Sequence, residues 1–126
     1  MKLLGLAMAG GGIGSGLRYL VNAGLGRLLG PGFPWGIFII NVTGCFVMGL
    51  VAGTLALRAS DTQSLRTFFA TGILGGYTTF SAFSLDFANL VRLGDFSAAA
   101  LYLAGSVGLS IAGVFAGLAL SRAMLT

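Results

Sequence analysis

The chain has 126 residues, 56% hydrophobic and 8% charged, with 22 glycines. A soluble domain is about a quarter charged, and a chain this short exposes too much of its surface to hide so many apolar side chains in one core. That excludes an ordinary soluble domain and makes lipid the expected solvent. The net charge is +4, but the seven basic residues are scattered one or two per helix end with no aromatic platform beside them, so nucleic acid is not an expected partner.

The charges divide the chain into four candidate transmembrane helices of an all-α membrane protein, about 3–26, 34–57, 65–92 and 96–121, making one domain over 1–126. Each is near or above the roughly 20 residues that cross the hydrocarbon. In the first, MKLLGLAMA has an Ala-x-Ala pattern at Ala7 to Ala9. The apolar run Leu3 to Leu6 is shorter than the roughly 7 residues a signal core needs, so it is expected to be the start of the helix. The glycine run GGGIGSG (10–16) lacks the spacing of a dinucleotide loop and has no Lys-Ser/Thr after it. Gly10 with Gly14 and Gly12 with Gly16 instead form small-xxx-small pairs that let helices approach closely. Arg18 is the one charge inside this span.

The connection LGPGFPWG (29–36) holds two prolines and three glycines, with Trp35 as an interfacial anchor. The second helix carries Asn41, the small pair Gly49 and Gly53, and Cys45. A single cysteine allows neither an intramolecular disulfide nor a cysteine-based metal site. RASDTQSLR (58–66) is the most polar stretch, and Asp61 is placed to cap the next helix.

The third helix contains GGYTTFSAFS (75–84). Gly75-Gly76 is expected to break it, with the break near 75–78. Backbone groups freed there are tolerated only when buried in protein or lining a cavity. The re-started helix would aim its N-terminal amides inward, and the freed carbonyls would suit a cation. Thr78, Thr79, Ser81 and Ser84 add hydroxyls, and Phe80 and Phe83, three apart, share a face. After the turn RLGDFS (92–97), the fourth helix sets Ala100, Ala104, Gly108, Ala112 and Ala116 in a smooth ridge, with Gly113 and Gly117 as another small pair. Tyr102, Ser106 and Ser110 form a polar stripe at i, i+4 and i+8.

There is no His and no Glu, and Asp86 is the one acid in or near a span, so catalysis finds little support and transport is the stronger class. Hydroxyls in membrane helices often bond back to their own backbone or join helices. A stripe in register, facing Asn41 and the broken segment, points further, to a lined path. Hydrogen-bond donors without carboxylates suit an anion, since cation paths carry acids. The positive edges of Phe80 and Phe83 would meet a small dehydrated anion edge-on. Four spans put Lys2, Arg58, Arg66 and Arg122 on one side and Arg27 and Arg92 on the other, with Arg18 snorkelling toward that second side. So even a balance lets the chain insert both ways, and two opposed copies would pair as an antiparallel dimer.

GGYTTFSAFSLD (75–86), NVTGCF (41–46) and GIGSGLRY (12–19) together resemble the Fluc, or CrcB-type, fluoride channels of bacteria, and the likeness extends over the whole length and the four-span layout. The resemblance implies an antiparallel dual-topology homodimer in the bacterial inner membrane, in contact with lipid. It implies two fluoride pores lined by Phe80, Phe83, Asn41 and the Tyr102, Ser106, Ser110 stripe; Thr79, Ser81 and Ser84 join them as hydroxyls of the broken segment. It also implies a central, non-transported sodium ion on the backbone carbonyls of Gly75 and Thr78 from both subunits. Arg18 is either a vestibule charge or a snorkelling anchor, and Asp86 either faces water near a pore mouth or pairs with a basic residue. Passive conduction would let the membrane potential, negative inside, expel fluoride released by entering hydrogen fluoride, at about 2.3 kcal/mol per charge per 100 mV. The alternatives are an exporter of the small multidrug-resistance type, which depends on an acid in its first helix that residues 3–26 lack, and a structural membrane subunit, which would not explain the aligned donors.

Overall fold

The computed structural model of the chain describes residues 1–58 and 61–126, so Ala59 and Ser60 of the polar connection lie outside the described residues. The described residues are helical with short connections: α1 (Lys2–Leu29), α2 (Trp35–Ala56), α3 (Gln63–Leu65), a π-helical segment (Arg66–Leu74), α4 (Gly75–Tyr77), α5 (Phe80–Arg92) and α6 (Phe96–Leu125). Among them, α2 and α6 are long and apolar enough to cross a membrane. At 28 residues α1 also has the length, but its glycines, Arg18 and Arg27 lower its apolar content. The third expected helix is divided into pieces, none of which is long enough alone.

Side-chain distribution is the reverse of a soluble core. Of the large side chains described, Ile40 and Tyr102 are fully buried, while Leu20, Leu101, Phe115 and many others stand exposed. Such an outward apolar surface would drive aggregation in water and costs nothing in hydrocarbon.

Glycines hold the helices together by removing side chains where backbones meet. A Cβ on Gly49 would strike the Val114 carbonyl and lie 3.0 Å from the Gly117 Cα, and one on Gly117 would strike the Phe46 carbonyl. Gly105 faces Phe38 and Gly53 faces Ser121, so residue numbers rise together along the contact and α2 and α6 run in the same sense. By the same test, Gly10 meets Phe68 and Gly72, and Gly14 meets Ile73 and Tyr77; α1 therefore runs parallel to the π-helical segment and α4. The pairs Gly10 with Gly14, Gly49 with Gly53 and Gly113 with Gly117 thus act within the chain, whereas Gly12 and Gly16 have nothing within 4 Å. The ridge Ala100, Ala104, Gly108, Ala112 and Ala116 is exposed along its whole length.

The helix break lies later than the glycines. Gly75 keeps ordinary helical angles, φ −63° and ψ −36°, and α4 continues through Tyr77; the chain is extended at Thr78 (φ −82°, ψ 155°) and Thr79 (φ −152°, ψ 123°). Two β-branched residues in succession favour that extended geometry. Gly76 serves contact instead, since a Cβ there would lie 2.5 Å from the Gly11 carbonyl oxygen and 3.1 Å from the Gly11 Cα. The expectation of a break at Gly75-Gly76 is corrected to Thr78-Thr79.

The starts of α5 and α6 are capped by the side chains of Thr79 and Asp95, and Asp61, just before the N-cap of α3, meets its first amide. Gln63 N–H donates to Asp61 Oδ1 at 2.9 Å, Ala82 N–H to Thr79 Oγ1 at 3.1 Å, and Ala98 N–H to Asp95 Oδ1 at 3.3 Å. Each satisfies an amide that a helix N-terminus leaves unpaired. Trp35 stands beside Phe33 and Phe38, with ring centroids 4.6 and 6.1 Å away.

Candidate functional site

The break places a two-residue extended segment beside α2, and Asn41 receives it. Thr79 N–H donates to Asn41 Oδ1 at 2.9 Å, and Asn41 Nδ2 donates to the Thr79 carbonyl at 3.0 Å. A primary amide carries two N–H donors, so one of them is left for another acceptor. Thr78 Oγ1 turns back onto the Leu74 carbonyl at 2.9 Å.

The same rearrangement strips two carbonyls of their helical donors. In a continuous helix Gly75 C=O would accept from Thr79 N–H, which here goes to Asn41. Likewise Thr78 C=O would accept from Ala82 N–H, which here goes to the Thr79 hydroxyl. The two carbonyls expected to hold a cation are therefore ones the local geometry sets free, and hard oxygen donors of this kind fit a hard ion such as sodium.

A groove of about 290 Å³ opens against the break, lined by Asn41 and Cys45 of α2, Thr78 to Phe80 and Phe83, and Ser106 and Ser110 of α6 with Val107 and Ile111. The Ser106 and Ser110 hydroxyls are buried and have no hydrogen-bond partner among the described residues. Since leaving a buried polar group unpaired costs about 1–3 kcal/mol, these two are the donors most in need of a ligand. Phe80 is 77% exposed and Phe83 6%, and their ring centroids are 5.6 Å apart. One ring is held in the core while the other stands free beside the groove.

Of the residues singled out in the sequence, Asn41, Thr79, Phe80, Phe83, Ser106 and Ser110 share this groove. Ser81 lies at its margin, with its hydroxyl 3.2 Å from that of Thr79; Ser84 is exposed on another part of α5. Tyr102 is fully buried, its ring packed on Phe83 and Phe33 at 5.1 and 5.4 Å, and its hydroxyl donates to Asp86 Oδ2 at 3.1 Å. The partner of Asp86 is thus a phenol and not a basic side chain. Asp86 also borders a second cavity of about 330 Å³ lined by Asn22 of α1, Asn89 of α5, the connection between α1 and α2 and the first residues of α2. Arg18 is partly buried on α1 and lines neither cavity. Cys45 was missed as a lining residue, although its place one helical turn beyond Asn41 puts both on one face.

Comparison with known proteins agrees with the resemblance. The family described as CrcB-like protein, Camphor Resistance (CrcB), matches residues 5–118. A fluoride-specific ion channel FluC of Rhodopseudomonas palustris is 56% identical over 119 residues, 94% of this chain and 96% of that one. FluC 2 of Nitrobacter hamburgensis is 56% identical over 117 residues, 93% and 94% of the two chains. FluC of Rhizobium etli is 51% identical over 120 residues, 95% and 96%. With a family match over residues 5–118 and identity above one half over 94–96% of these relatives, the chain belongs to the CrcB-like family.

Proposed function

We propose that this chain is a fluoride-selective passive anion channel of the bacterial inner membrane, and not an enzyme, with the groove at the helix break as its conducting wall. The observation that carries this reading is the groove at the break, lined by no carboxylate and by Ser106 and Ser110, whose buried hydroxyls have no partner among the described residues. Fluoride is the smallest halide and the strongest hydrogen-bond acceptor among them. It can replace lost water with the hydroxyls and the spare N–H of Asn41, and be met by the positive ring edges of Phe80 and Phe83. The names of the relatives, fluoride-specific ion channels, support the same ion.

In this reading the chain crosses the membrane four times and two copies pair in opposite orientations. The parallel pairings of α1 with the third span and of α2 with α6 agree with a four-span layout, in which odd and even spans run opposite ways. The exposed ridge from Ala100 to Ala116 offers a smooth face to the second copy. Gly75 and Thr78 carbonyls of both copies would hold a structural sodium ion, which would take the place of the helical amides that bond elsewhere at the break. No energy-coupling group is required, because the membrane potential alone expels the anion. Cytoplasmic fluoride would be lowered in consequence.

The test is efflux from liposomes containing only the purified protein, read with a fluoride electrode. Rapid fluoride release with chloride retained is expected. Equal release of chloride, or no release of fluoride, overturns the proposal.

A further inference from the structure

We propose that the second cavity, at the end of the bundle where α1 and α5 stop and α2 begins, is a site for the phosphoethanolamine headgroup of a membrane lipid, its primary ammonium held by Asp86 and its phosphate by Arg92. The inference rests on the chain spanning a membrane and not on which ion it conducts, so lipid retention and fluoride release fail independently.

The cavity holds about 330 Å³, and Asp86 is the one charged side chain among its described lining residues. Its Oδ2 accepts from the Tyr102 hydroxyl. Among the described residues Oδ1 has no partner, and because Asp86 is only partly buried that oxygen stays reachable. A carboxylate in an apolar setting needs a counter-charge, and no described Lys or Arg in the wall supplies one. Asn22 and Asn89 add carboxamide oxygens. That of Asn22 lies over Gly36, where an added Cβ would strike it, so the glycine leaves the space in which the amide sits. Phe33 and Trp35 complete the wall as a tilted ring pair with centroids 4.6 Å apart.

These groups choose the ligand. A hard metal ion takes a shell of oxygens, which ring walls do not supply, and among the described residues no three His, Cys, Asp or Glu side chains lie together. Ring faces attract alkylammonium cations. The acceptors beside them favour a primary ammonium, with three N–H donors, over a quaternary one, which has none.

Position identifies the source. Asp86 and Asn89 lie six and three residues before Arg92, the last residue of α5, roughly 9 and 5 Å from its end, which is the depth of the headgroup layer. Arg92 Nη2 donates to Asn89 Oδ1 at 3.1 Å, so a guanidinium stands beside the cavity with further donors for a phosphate. A negative wall next to a positive rim matches a zwitterion of ammonium and phosphate.

The experiment is retention of phospholipids with identical acyl chains by the purified protein in detergent, counted by native mass spectrometry and checked by melting temperature. Phosphatidylethanolamine is expected to remain at one per chain and to raise the melting temperature. Phosphatidylcholine, whose ammonium has no N–H, is expected to be held about tenfold more weakly, the equivalent of one hydrogen bond to a charged group. Asp86→Asn is expected to erase that preference, Asn22→Ala, at an exposed position, to reduce it, and Arg92→Gln to weaken both lipids alike. Equal retention of the two lipids by the wild type, or a preference unchanged by Asp86→Asn, overturns the proposal; where Asp86→Asn does not fold, an unchanged preference in Asn22→Ala does so. Soluble glycerophosphoethanolamine that protects as well as the lipid overturns the membrane source.

Discussion

Asn41 and Thr79, 38 positions apart, exchange two hydrogen bonds: Thr79 N–H reaches Asn41 Oδ1 at 2.9 Å and Asn41 Nδ2 reaches the Thr79 carbonyl at 3.0 Å. The amide replaces, from another helix, the pairing that the broken backbone has lost. Asn41→Leu keeps the approximate volume and removes both bonds, leaving two backbone groups unmet at about 1–3 kcal/mol each. Thermal unfolding in detergent should shift down and fluoride flux should fall with it. Asn41→Asp keeps the acceptor for Thr79 N–H but sets an oxygen against the Thr79 carbonyl, and adds a negative charge to the groove. It should lose flux more completely than it loses stability. Wild-type flux in both variants would remove Asn41 from the pathway.

Ser106 and Ser110 separate conduction from folding. Their hydroxyls bond nothing among the described residues, so Ser106→Ala and Ser110→Ala should leave the melting temperature unchanged or slightly raised. Flux should fall by up to about tenfold for each, the equivalent of one hydrogen bond of roughly 1.4 kcal/mol to the passing ion. A drop in stability with flux intact would identify the serines as joints between helices.

The distinction between contact and conformation was only partly legible in the sequence. GGYTTFS announced a broken helix, but the break belongs to Thr78 and Thr79, because the agent is a pair of β-branched residues received by Asn41 and not glycine's freedom of angle. What Gly76 provides is approach to Gly11, a relationship between residues distant in sequence. The tertiary fold divides the stripe Tyr102, Ser106, Ser110: the Tyr102 hydroxyl is drawn to Asp86 of the neighbouring α5, and of the three only the serines line the groove. The π-helical segment at Arg66–Leu74 has no periodic signature that would have revealed it.

Glycine contacts give a graded test. Gly14→Ala would drive a methyl into the Ile73 carbonyl and to 2.8 Å from Tyr77 N, both backbone atoms that cannot move aside. Gly5→Ala meets nothing within 4 Å and in a helix should gain up to about 1 kcal/mol from the better propensity of alanine. Detergent-solubilised yield and melting temperature should drop sharply for the first and hold or rise for the second. Equal behaviour of the two would mean that α1 does not pack against α4 as described.

The sodium proposal is tested through the carbonyls that the break exposes. Gly75 and Thr78 C=O lose their helical donors because Thr79 N–H goes to Asn41 and Ala82 N–H to Thr79 Oγ1, and an ion bound there would stabilise the proposed dimer by about 2.7 kcal/mol at a hundredfold excess over its dissociation constant. Replacing sodium by N-methylglucamine should therefore lower dimer melting temperature and fluoride flux together. The ligands are main-chain atoms, so Thr78→Ser, which keeps a hydroxyl for the Leu74 carbonyl, should be mild in both assays. Gly75 holds ordinary helical angles and an added Cβ would meet only Ala70 O at 3.6 Å. Gly75→Ala should thus spare the single chain, and any loss it causes should appear as reduced sodium dependence of the dimer. Flux and melting temperature indifferent to sodium in the wild type would defeat the structural-ion proposal while leaving the serine-lined groove untouched.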